Sequence, residues 1–287
     1  MKADDLPALY GDADAASLRA QANFFRALIA SLALLIFSAT LATLQVQSPI
    51  VAGLQAVALL ASLSLTIYIG QVQPQRIWYG TRALAESLKT VAWRYAMRAE
   101  PYDVEDTIAR TRFISTAKSI LDDNKLSSHA VAYTEGNQIT DAMSVCRALD
   151  LAARKERYDT DRVKEQLDWY RKKAKYNDTR SRQWFGCLVA LHGLAVLSAL
   201  AKFGWPSLVY WPIGLLVAAA SGLIAWLQTK RFQELAASYS LTAHEIGLLR
   251  AKLPNVNSET AFSQFVGDAE NAFSREHTQW RARRDAS

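Results

Sequence analysis

Four histidines, His129, His192, His244 and His277, are the side chains best suited to metal binding or proton transfer, and they have no metal-ligand spacing among themselves. A metal site would have to be assembled between chains. Gly-x-x-x-x-Gly-Lys-[Ser/Thr], Gly-x-Ser-x-Gly and His-Glu-x-x-His are all missing. Neither catalysis nor a cofactor is therefore expected. What stands out instead is polarity in apolar surroundings. His192 and the thiol of Cys187 are the only ionisable side chains deep in otherwise uncharged stretches. Ionisable groups at membrane depth are functional candidates, although a neutral His can also bond quietly to a neighbouring helix. Gln55 is costly if it faces lipid and is expected to point into a bundle or a lumen. Ser31, Ser38, Thr40, Thr43, Ser62, Ser64 and Thr66 supply hydroxyls that more often bond back to their own helix than face water. Gly214, Ala218 and Gly222 repeat at four-residue steps, a stripe that lets helices approach closely in lipid, within one hairpin or between subunits.

The elements that must carry these residues are membrane helices. No Asp, Glu, Lys or Arg lies between Arg26 and Arg76, from Gln183 to Ala201, or from Phe203 to Thr229. A span needs about 20 residues, so the first gap holds two and the others one each. We read spans at about 25–44, 50–71, 184–203 and 211–228, paired into two hairpins. Gln45-Val-Gln-Ser-Pro49 and Gly204-Trp205-Pro206 form the turns, and Pro49 suits a helix start. Trp184, Trp205, Tyr210, Trp211 and Trp226 sit near span ends, as interfacial aromatics do. A signal peptide is a poor reading, because Asp4, Asp5, Asp12 and Asp14 precede a run that leads straight into a second span. A simple soluble protein is excluded, and so are disordered and disulfide-stapled chains, since there are only two cysteines, Cys146 and Cys187.

Charge gives the orientation. Lys2, Arg19 and Arg26 precede the first span, 21 basic residues lie from Arg76 to Arg182, and eight lie from Lys230 onward, while the hairpin turns carry only Lys202. Positive segments stay inside, which puts both termini and the central region in the cytoplasm. The pI of 9.3 then reflects basic residues beside anionic lipid, and no nucleic-acid partner is expected. The polar segments read as helices. One spans Arg82 to Arg98 before Pro101, and another Asp103 to Leu121. The pattern breaks over 127–136, and a third helix starts near Gln138. A fourth starts near Asp159 and runs on into the third span. After the fourth span, a helix over Phe232–Lys252 should end at Pro254. A last helix after Ser258 carries Phe262, Phe265, Val266, Ala269, Phe273 and Trp280 on one face, with packing inside the assembly as the expected use.

Several stretches resemble a known family. After the first hairpin the chain reads Arg82-Ala-Leu-Ala-Glu86-Ser-Leu-Lys89-Thr-Val-Ala-Trp93, then Glu100-Pro-Tyr102. The second half has Asp168-Trp-Tyr170-Arg-Lys-Lys173-Ala174 before its hairpin. It ends with Phe262-Ser-Gln-Phe-Val266-Gly-Asp-Ala-Glu270 and Glu276-His277-Thr-Gln-Trp280. These resemble the SLATT superfamily, two-transmembrane effector domains associated with SMODS nucleotidyltransferases and SLOG sensors, here as a tandem of two different domains over 1–150 and 151–287. The resemblance implies a bacterial inner-membrane defence effector. Such an effector would oligomerise into a pore on a nucleotide or infection signal and collapse ion gradients. It also implies that Glu86, Lys89, Trp93, Tyr170, Lys173, Glu270, His277 and Trp280 pack the cytoplasmic helices or pass a trigger to the spans.

The resulting expectation is an all-α integral membrane protein, with four transmembrane helices in two hairpins and a cytoplasmic helical bundle. It would act as a homo-oligomeric, weakly selective pore. Expected partners are membrane lipid, further copies of the chain, and a nucleotide second messenger or a sensor protein. A basic groove of Arg94, Arg98, Arg171 and Lys172 would suit an anionic nucleotide. The rival reading is a non-conducting anchor for a cytoplasmic partner. A small transporter fits less well, because only Pro212, at a span end, hints at broken spans.

Overall fold

The computed structural model describes residues 1–124 and 129–285, with side chains as far as Ser274. Helices make up the architecture, and no strand occurs among the described residues. They are α1 (Ala8–Thr43), α2 (Pro49–Val72), α3 (Pro74–Ala96), α4 (Asp106–Asp123), α5 (Asp141–Ala148), α6 (Leu151–Tyr158), α7 (Glu165–Gly204), α8 (Ile213–Lys230), α9 (Phe232–Lys252) and α10 (Glu259–Asp285). A π-helical segment, Asp159–Lys164, joins α6 to α7 without a break. The helix entering the third span therefore starts at Leu151, a turn or two before the expected Asp159.

Helix starts follow local chemistry. Thr140 and Asp150 accept the backbone N–H of Met143 and Ala153, and Glu105 accepts those of Thr107 and Ile108. Pro49 opens α2, where its missing N–H costs nothing. The second helix of each hairpin ends in the same way. Gln73 (φ 48°) and Arg231 (φ 50°) each adopt one left-handed residue before the next helix begins. Their N–H groups return to Ile69 and Leu227.

The chain forms two compact units. The first comprises Met1–Ala22, Pro74–Lys172 and Tyr239–Ser287. It has a dense core that includes Leu84, Leu88, Trp93, Tyr95, Phe113, Met143, Tyr158, Ile246, Phe262 and Val266. The amphipathic stripe of α10 is spent here: Phe262, Phe265, Val266, Ala269 and Phe273 are all buried. α3 is the hub, packing on α10, α4 and α5. The N-terminal segment belongs to this core as well, through Leu6, Tyr10 and Ala13. Gly136 lies so close to α1 that an added Cβ would stand 2.9 Å from that of Ala8.

The second unit comprises Asn23–Gln73 and Lys173–Ser238. It holds the four stretches that are long and apolar enough to cross a membrane, with mean hydropathies of 2.0, 2.1, 1.9 and 1.4. At most 17 % of any such stretch is buried inside the protein. Leu60, Ile67, Phe185, Val189 and Leu197 are exposed. Apolar surface on this scale is the mark of a lipid-facing protein. The chain is an all-α, multi-pass membrane protein.

Candidate functional site

In the polar unit, the residues singled out on sequence grounds gather along α3 and the surfaces that face it. Asp14 accepts from Arg82 at 2.9 Å, and Arg82 also pairs with Glu86 at 2.5 Å one turn on. Lys89 follows, half-buried. Burial lowers its pKa, the Arg162 guanidinium lowers it further, and Glu86, Glu165 and Glu270 oppose this. Trp93, fully buried, meets Tyr158 edge-on at 5.7 Å.

The deepest part is an ion pair. Glu270 on α10 is completely buried and Arg162 on the π-helical segment is 1 % exposed. Arg162 donates from Nε at 2.8 Å and from Nη2 at 2.6 Å to the two carboxylate oxygens, and the Tyr158 hydroxyl donates at 2.9 Å to the first of them. The Phe273 ring lies 4.9 Å from the guanidinium carbon. Burial pulls the Arg162 pKa down, but the Glu270 carboxylate outweighs it and holds the group above its ordinary value. Burial beside Glu270 also pushes the Tyr158 phenol well up. Arg162 Nη1 has no acceptor among the described residues.

Two more buried arginines, which the sequence analysis missed, stitch the same unit. Arg147 donates to Asp106 at 2.8 Å and to the carbonyls of Tyr95 and Val104 at 2.9 Å. That hydrogen bond, aided by charge, lowers the Asp106 pKa. Arg154 donates to the carbonyls of Met97 (2.8 Å) and Leu149 (3.0 Å) and to Glu259. The one available signal was spacing. Arg154, Tyr158 and Arg162 repeat every four residues, so a buried Tyr158 carries both arginines inward.

Tyr170 is buried against Trp169 and Tyr239, 4.9 and 5.7 Å between ring centroids. Lys173 is exposed. The side chains of His277 and Trp280 lie outside the described residues. Of the proposed basic groove, Arg94 is engaged with α10, donating to Asn271 at 2.7 Å and to the Gly267 carbonyl at 3.1 Å. Arg98 pairs with Asp106 at 3.6 Å, whereas Arg171 and Lys172 stand exposed on α7.

In the apolar unit, several hydroxyls bond back to their own helix. Thr40, Thr43, Ser64 and Thr66 donate to carbonyls four residues back. Ser31 and Ser62 bond each other at 2.9 Å and tie α1 to α2. Nearer the hairpin tip, Ser38 is buried on α1 and Gln55 half-buried on α2. Gln55 makes no side-chain hydrogen bond among the described residues. His192, exposed, has Nδ1 2.9 Å from the carbonyl of Leu188 on its own helix. The small-residue stripe divides. A Cβ on Gly222 would meet Ile36 at 3.8 Å and Leu32 at 3.9 Å, so this face packs on α1. Gly214 is exposed with nothing within 4 Å, and Ala218 is half-buried. No group of three metal-ligating side chains occurs among the described residues.

Comparison with known proteins adds one result. The family model described as SMODS and SLOG-associating 2TM effector domain 3 matches residues 7–155, and that described as SMODS and SLOG-associating 2TM effector domain 1 matches residues 158–280. Two different domains of this kind therefore stand in tandem. No curated protein and no solved structure matches the chain.

Proposed function

Because this chain belongs to the SMODS and SLOG-associating two-transmembrane (SLATT) effector superfamily, we propose that it is a pore-forming effector of bacterial conflict. In this reading it is not an enzyme. Copies of the chain assemble in the inner membrane, with both termini and the polar unit in the cytoplasm. They open a weakly selective pore when a nucleotide signal or a sensor protein acts on the polar unit, and ion gradients then collapse.

The observation that carries this reading is the state of the spans. Few of their residues are buried within one chain, yet Gln55 brings to membrane depth an amide without a hydrogen-bond partner among the described residues. An unmatched amide in hydrocarbon costs several kcal/mol. A lumen or a neighbouring copy would satisfy it. The open face at Gly214 allows the close helix approach such a copy needs. No acidic or basic ring lies at membrane depth in the sequence, which fits weak selectivity and an apolar constriction as gate.

The experiment is ion and dye efflux from liposomes containing the purified full chain, read beside its oligomer mass in detergent. Efflux from an oligomer of defined mass supports the pore. A tight liposome together with a monomer overturns it and leaves the non-conducting anchor.

A further inference from the structure

The apolar unit holds a groove of about 660 Å³ among α1, α7 and α8. That falls in the range of sites for one small amphiphile, roughly 300–1,000 Å³. Its walls are Ile29, Ile36, Cys187, Leu194, Gly222 and Trp226 among others, all carbon-rich. All three helices contribute small residues to it. Gly222 lacks a side chain, and Ala33, Ala190 and Ala219 keep the space between the helices open.

One end of the groove is not apolar. One turn beyond Trp226, the Lys230 ammonium lies 3.4 Å from the centroid of Phe25 and 4.8 Å from that of Trp226. Phe25 and Trp226 themselves meet edge-on at 5.8 Å. Lys230 is half-buried and forms no ion pair among the described residues. Its neighbour Arg231 is spent on Glu234. Arg26, next to Phe25, is exposed and likewise makes no ion pair among the described residues. The Trp226 indole N–H is buried without an acceptor among the described residues. The groove thus pairs a long apolar trough with an end that has one cation without an ion pair and one unmet donor among the described residues.

We propose that this groove binds one anionic glycerophospholipid from the leaflet on the basic side of the membrane. An acyl chain lies between α1, α7 and α8, and the phosphate is held by Lys230 with the Trp226 indole N–H. The aromatic pair fixes the ammonium at the depth of the headgroup, where a cation without a carboxylate needs an anion. A helix of a second copy would fill the trough but leave the Lys230 cation unanswered, since the spans contain no carboxylate. The proposal stands whether or not the spans conduct.

The test is native mass spectrometry of the full chain released from detergent that contains equal amounts of dioleoyl phosphatidylglycerol and dioleoyl phosphatidylcholine. The wild-type chain should retain phosphatidylglycerol preferentially. Lys230→Gln should lower that preference about fivefold, the share of one basic residue near an anionic surface, and Lys230→Arg should keep it. Ala33→Phe, which fills an exposed part of the trough, should lose both lipids, with circular dichroism confirming an intact helical fold. Equal retention by the wild type, or an unchanged preference in Lys230→Gln, would overturn the proposal. So would a photoreactive side chain at Leu194 that labels a second copy of the protein in phosphatidylglycerol vesicles instead of lipid.

Discussion

Glu270 is the residue on which the polar unit depends most. It is fully buried, and its charge is tolerable only because Arg162 meets both oxygens. Removing one member of such a pair strands the other, which typically costs about 3–5 kcal/mol, whereas replacing both by apolar groups is often neutral. Glu270→Ala should therefore lower unfolding stability in detergent by about that amount, and Glu270→Ala with Arg162→Met should recover much of it. A titration prediction follows from Tyr10. Burial first, then Asp14 and Glu86, raise its phenol to about 12 from an ordinary 10.0. A raised folded pKa contributes stability that is whole below the unfolded value and is lost as pH climbs through the folded one. The alkaline decline in Tm between pH 10 and 12 should be shallower in Tyr10→Phe, which forfeits no hydrogen bond among the described residues. Sequence reading found Glu270 but not Arg162. A lone Arg on a helix looks solvent-exposed until the partner helix is placed against it, and Glu270 lies 108 residues away.

At the scale of the helices, the spans were legible because hydrocarbon tolerates no charge, so gaps between charged residues mark them directly. The last helix was legible for a related reason, since its aromatic stripe has one period and one face. What could not be read is how the small-residue stripe divides. Spacing assigns Gly214, Ala218 and Gly222 one role, but the packing gives Gly222 to α1 and leaves Gly214 open. These two glycines should respond differently to the same change. In Gly222→Leu the added Cβ makes ordinary contact with Ile36 and Leu32 and the rest of the side chain enters the groove among α1, α7 and α8, so the chain should keep its thermal stability and retain less phospholipid by native mass spectrometry. In Gly214→Leu the single chain should keep its stability, and any loss should show as a smaller oligomer mass by light scattering. The left-handed caps at Gln73 and Arg231 were also invisible, since neither is the glycine that such a position favours. Gln73→Gly and Arg231→Gly remove the Cβ conflict at each cap. Each should leave Tm unchanged or raise it, where the same change inside α2 or α8 would lower it.

For the whole molecule, the division of labour runs across the sequence. Each matched domain, 7–155 and 158–280, contributes one hairpin to the apolar unit and helices to the polar one. The sequence showed this organisation through its alternation of charged and uncharged blocks, but it had no means of showing which polar groups the apolar unit leaves unsatisfied. Gln55 is the sharpest case. Ser31 and Ser62 neutralise each other, the threonines bond their own helices, and His192 does the same, whereas the amide of Gln55 has no hydrogen-bond partner among the described residues. If it faces only lipid, Gln55→Leu should stabilise the protein and leave oligomer mass and liposome behaviour untouched, because a desolvated amide is replaced by hydrocarbon. If it lines a lumen, Gln55→Leu should retain the oligomer mass but dry the pore at that level, and efflux should fall steeply. If instead it bonds a neighbouring copy, the oligomer itself should loosen, with efflux and mass declining together. The proposed pore requires one of the last two outcomes, and paired measurement of mass and efflux on this single variant separates them.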